Sequence, residues 1–125
     1  MTQSMVFWLY MVNSILLIVH EIDSGYQKEW ELFKMKGGAT GFLLLHFPLL
    51  LIVLWGLIQV WEQSQTWFYH SLFLCLAGIG CYIIHTIFIK KGHPEFTSLI
   101  SLWIIRFTGF LSLFQLVLTI IGISM

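Results

Sequence analysis

Five histidines and six carboxylates are spread along 125 residues, and four of the histidines can be brought to one depth. His20-Glu21-Ile22-Asp23 closes the first apolar run. His46 stands about five residues inside the second run, and His85 about four before the end of the third. His93 and Glu95 lie in the loop that follows. Imidazoles with carboxylates form the ligand set of zinc, iron or manganese, and a neutral histidine beside a carboxylate is also a general acid–base pair. His20 and Asp23, three residues apart, share one side of a helical turn. The candidate metal ligands are therefore His20, His46, His85 and His93, with Glu21, Asp23, Glu29 and Glu95 as candidate catalytic groups. The pattern has modest specificity, because neither a His-Glu-x-x-His pair nor a cysteine-containing zinc motif is present.

The elements that must position these residues are set by composition. With 58% hydrophobic and only 10% charged residues, the chain lies far from the soluble average of roughly 25% charged. It reads as one all-α polytopic membrane domain, a four-helix transmembrane bundle. The spans are expected at about 5–20, 41–61, 67–89 and 99–123, since a helix needs roughly 20 apolar residues to cross the hydrocarbon core. The N-terminus lacks the basic region and cleavage site of a signal peptide, so the first run is read as a retained helix. A formal net charge of zero argues against a nucleic-acid partner. Cys75 and Cys81, six residues apart, fall on different sides of one helix and read as buried small hydrophobes.

Between the first two spans the spacing predicts an interfacial amphipathic helix over about 24–36. Ser24 with Gln27 fits a capping box, Ile22, Tyr26, Trp30 and Phe33 recur at helical spacing, and Gly37-Gly38 ends the pattern. Tyrosine and tryptophan suit the headgroup level, so this helix should lie along the membrane and roof whatever is beneath it. All five lysines belong to the loops at the same end as the histidines. The positive-inside rule makes that end cytoplasmic and puts both termini outside, in a multi-pass protein of the inner (plasma) membrane. Pro94 suits the first turn of the last span.

A histidine within a span is costly and by default a functional candidate, which sets His46 and His85 apart from the loop residues His20 and His93. Arg106 is the other expensive residue, a further candidate catalytic group aimed at the histidine–carboxylate cluster or at an anionic lipid head, the alternative being a structural partner such as Asn13 or a helix carbonyl. Asn13 reads as helix glue. Ser98, Ser101, Ile105, Thr108, Ser112, Gln115 and Thr119 form a stripe that should face a neighbouring helix.

Three function classes follow. The leading one is a metal-dependent (zinc or iron) or acid–base enzyme acting on a lipid-like substrate that enters from the bilayer, with Arg106 or the lysines taking an anionic head. The second is an electron-transfer subunit with His46 and His85 as axial ligands to haem. The third is a non-enzymatic proton-coupled or structural subunit. A bundle this small also suits a homo-oligomer or a subunit of a membrane complex.

At His20 to Phe33, with Gly41 to Pro48 and His93 to Phe96, the chain resembles a group of small bacterial four-helix membrane proteins of uncharacterised role that share the His-Glu-Ile-Asp and Glu-Trp-Glu-Leu-Phe segments. The resemblance implies a four-helix membrane fold and no particular activity. The chain is also weakly similar to membrane proteins named for a His-x-x-Glu-Glu motif. It departs from them in having Asp23 and no adjacent glutamate pair.

Overall fold

The computed structural model describes residues 2–125, and its helices are α1 (Thr2–Tyr26), α2 (Glu29–Leu32), α3 (Gly38–Trp61), α4 (Trp67–Lys90) and α5 (Leu99–Ser124). All but α2 are long and apolar enough to cross a membrane, which makes the chain a multi-pass membrane protein. Successive spans run antiparallel. The turns 27–37 and 91–98 therefore share one end of the bundle, and the chain termini share the other with the turn at 62–66.

Helices α1 and α4 touch each other and both touch α3 and α5, so they form the inner pair while α3 and α5 flank them. Apolar side chains cover most of the outside, as a bilayer-facing surface requires. Small and polar side chains fill the seams. The α5 stripe is buried from Ser101 through Ile105, Thr108, Ser112 and Gln115 to Thr119. A Cβ on Gly78 would strike Ser112, so the glycine sets how closely α4 approaches α5. The Tyr10 hydroxyl donates to the Val53 carbonyl at 2.7 Å, tying α1 to α3 over the space that Gly56 leaves open.

In the half of the bundle toward the termini, a hydrogen-bonded layer joins three helices. Asn13 Nδ2 donates to Ser112 Oγ at 2.9 Å and to Gln115 Oε1 at 3.1 Å, and Gln115 Nε2 donates to Ser71 Oγ at 2.9 Å. The Thr119 hydroxyl gives its proton to the Gln115 carbonyl at 2.8 Å. Its oxygen, 2.7 Å from Ser71 Oγ, must then accept from that serine. Asn13 is the interhelical glue that the sequence suggests.

The expected interfacial helix takes another form. Helix α1 continues through Ser24 to Tyr26, because a buried serine inside a helix already has its amide bonded and turns its hydroxyl to His20 instead of capping. Lys28, at φ 54°, then ends the helix in the left-handed conformation common after C-termini, and a single turn, α2, follows. Trp30 packs on Phe42 of α3 and Phe33 on Phe88 of α4, while Ile22 and Tyr26 stay exposed. The segment plugs the end of the bundle rather than lying as a long helix beside it. Gly37, at φ 85°, turns the chain into α3. Pro94 does not open α5 either; it stays in the turn, and Ser98 caps the helix by accepting from the Ser101 amide at 3.2 Å.

Candidate metal centre

Helix α1 brings His20 and helix α4 brings His85 to the plugged end, where both are almost wholly buried, at 2% and 3% exposure. Their ring centroids lie 4.8 Å apart, edge to face. Cys81 stands four residues before His85, one turn back along the same side of α4. A ring nitrogen of each histidine and the Cys81 sulfur all fall within 4.8 Å of one another.

The two plugging segments close the group. From α2, Glu29 turns inward to 8% exposure and sets Oε2 3.5 Å from Nε2 of His85 and 4.0 Å from Nε2 of His20. From the other turn, Phe96 is buried against both imidazoles, with ring centroids 4.3 Å from His85 and 5.6 Å from His20. Ser24 Oγ lies 3.3 Å from His20 Nε2. The second ring nitrogens, Nδ1 of His20 and Nδ1 of His85, are buried without a hydrogen-bond partner, as is Glu29 Oε2. Buried polar atoms are rarely left this way. Burial pushes the Glu29 carboxyl above the ordinary carboxylate range, with the Ser24 hydroxyl and His46 pulling more weakly in the opposite direction.

The remaining candidates divide between neighbours and outliers. His46 forms a separate pair with Glu21, its Nε2 lying 2.7 Å from Glu21 Oε2. Its Nδ1 must donate to the Phe42 carbonyl at 2.7 Å, since a carbonyl only accepts. Asp23 accepts from Gln27 Nε2 at 3.4 Å and leaves its other oxygen buried and unpaired. His93 is exposed in its turn, 3.8 Å from Glu95, and takes no part in the His20–Cys81–His85 group. Arg106 lies on the exposed side of α5, where it lines grooves shared with Tyr82 and Phe110.

Sequence reasoning missed Cys81, Phe96 and the role of Ser24. The signal for Cys81 is present in Cys81-x-x-x-His85, a spacing that stacks two ligand side chains on one helical face. Phe96 carries no such signal, because a positive φ of 64° in an irregular turn is what brings it inward.

A family model described as a family of unknown function, DUF6713, matches residues 6–122. The chain belongs to this family. The match runs through all four spans and both plugging segments, so the family model includes every residue of the site. No curated protein and no solved structure matches the chain.

Proposed function

We propose that this family member is a membrane metalloprotein that holds one divalent transition-metal ion, zinc or iron, through His20, Cys81 and His85 at the cytoplasmic end of its bundle. The observation that carries the reading is the convergence of two imidazoles and a thiol from two helices within 4.8 Å, closed in by Glu29. A thiolate with two imidazoles suits zinc, iron or copper and not magnesium or calcium, which prefer oxygen. A metal-bound histidine uses both ring nitrogens, one for the ion and one for an outer acceptor that orients the ring. His20 and His85 fit that need, because on each ring one nitrogen faces Glu29 while the other has no partner. A positive ion would also favour the charged form of a carboxylate that burial alone disfavours.

Three protein ligands leave a tetrahedral ion one position for water, substrate or Glu29. Glu29 then stands where an acid–base group would act on a lipid-like substrate arriving from the bilayer, and Glu21 with His46 forms an adjoining pair that can store or release a proton. Haem between His46 and His85 is the competing arrangement. It would require the first to leave Glu21 and the second to leave Glu29.

Elemental analysis and an absorption spectrum on detergent-purified protein test the reading. Wild type should carry about one zinc or iron per chain with no Soret band, and Cys81→Ser and His85→Ala should each lose most of it. Metal-free wild type, or metal content unchanged by replacing His20 and His85 together, overturns it. A Soret band would assign the site to haem.

A further inference from the structure

Arg106 stands seven residues into α5, roughly 10 Å along the helix from its first residue, yet its side chain is exposed on the outside of the bundle. A guanidinium at that depth is expensive unless something anionic meets it. No carboxylate of the chain does so among the described residues. Glu21 and Glu29 are engaged inside the bundle, Asp23 in the last turn of α1 accepts from Gln27 and has its other oxygen buried, and Glu31, Glu62 and Glu95 lie in α2 or in the end turns. A second copy of the chain therefore brings no carboxylate on the bilayer-facing side of a spanning helix to this depth.

Two grooves between α4 and α5 meet at Arg106 and Tyr82. One, of about 270 Å³, runs past Thr86 to Lys90, the last residue of α4 at the turn end of the bundle. The other, of about 430 Å³, is lined by Ile79, Ile83, Phe110 and Leu113. Gly109 makes this shape possible, since a Cβ there would come within 2.8 Å of the Tyr82 ring. Cations thus mark one arm and apolar side chains the other, the polarity of an amphipathic anion rather than of a free ion or a plain hydrocarbon.

We propose that this groove holds one anionic phospholipid, with its phosphate on Arg106 and Lys90 and an acyl chain along Ile79, Ile83, Phe110 and Leu113. The fork of Arg106 suits bidentate contact with a phosphate, and Lys90 adds a second charge from the helix end. The site shares no residue with the metal centre and stands or falls separately from it.

Native mass spectrometry of the whole chain, extracted from bilayers of equal palmitoyl-oleoyl phosphatidylglycerol and phosphatidylcholine, reads the bound lipid directly. Wild type should retain one phosphatidylglycerol in preference to phosphatidylcholine by about thirtyfold, the size expected of two cations near a surface. Arg106→Gln should remove the preference, Lys90→Gln should reduce it and Arg106→Lys should keep part of it. Ile83→Trp, which fills the apolar arm and leaves both charges, should also lose the lipid and covers the case in which Arg106→Gln does not fold. Equal retention of the two lipids by wild type, or an undiminished preference in Arg106→Gln, overturns the proposal. So does a lipid-free dimer that depends on Arg106. Metal content should be the same in wild type and Arg106→Gln.

Discussion

The two polar regions of this bundle differ in how their hydrogen bonds close. Toward the termini, Asn13, Ser71, Ser112, Gln115 and Thr119 satisfy one another across α1, α4 and α5, with Asn13 Oδ1 left over. Toward the turns, His20, Glu29 and His85 are also buried but keep a nitrogen or an oxygen each without a partner. A network whose members chiefly bond one another holds helices together without a ligand. One that buries metal-ligating atoms and leaves them unpaired is costly to the fold, and that cost is typical of sites that await a ligand.

If this contrast is right, damage to the first region should cost stability and leave metal content alone. The largest effect is expected from Gly78→Leu, whose added carbons must displace Ser112 and Thr108 and part α4 from α5. A loss of about 3 kcal/mol or more in detergent unfolding is the scale of such overpacking. A variant that unfolds like wild type would show that the seam is looser than the structure has it. Gln115→Leu comes next. It removes a side chain that both accepts from Asn13 and donates to Ser71, and should cost about 1–2 kcal/mol, the upper range for interhelical hydrogen bonds in membranes. Bound metal should stay at the wild-type stoichiometry in Gln115→Leu.

The second region should respond in the opposite way. His85→Leu conserves bulk and deletes both ring nitrogens, one of them unpartnered. With metal removed by chelation, its unfolding free energy should lie within about 1 kcal/mol of wild type or slightly above it, since exchanging an unsatisfied buried group for an apolar one is near neutral. Its metal binding should be lost. A large destabilisation of chelated His85→Leu would instead make His85 a structural residue like Gln115.

How far each region was legible follows from the kind of signal it carries. The four spans and the α5 stripe are periodic, and periodicity survives in a sequence, so four helices long enough to span are found and the stripe is buried from Ser101 onward, although α1 runs on to Tyr26. His20 and His85 were visible because polarity in an apolar run is conspicuous. Their partners were not. Cys81 is apolar enough to pass as filler, and Phe96 reaches the imidazoles only through the shape of an irregular turn. The segment at 24–36 carried a helical period, but the period did not say which face would be inward. Capture of Trp30 and Phe33 by α3 and α4 decided that, and it turned Glu29 from a surface residue into part of the site. His46, level with His85 by spacing, pairs with Glu21 and stays outside the His20–Cys81–His85 group.

Glu29 offers the finest test of the contrast. Its carboxyl is raised in the folded protein by burial, so between the ordinary carboxylate pKa and the raised value the folded chain holds a proton that the unfolded chain has released. Stability must then fall as pH rises through that window. Metal-free wild type should lose stability in detergent from about pH 4 upward until Glu29 ionises in the fold, while Glu29→Gln, which cannot release a proton, should lack that part of the slope. The difference is smaller than any of the preceding effects, and its sign is what matters. Metal should flatten the wild-type slope as well, because an ion beside the carboxylate favours the charged form and lowers its pKa toward the unfolded value. An undiminished slope in Glu29→Gln would trace the pH dependence to another group and remove Glu29 from the site; a slope that metal leaves untouched would place the ion elsewhere.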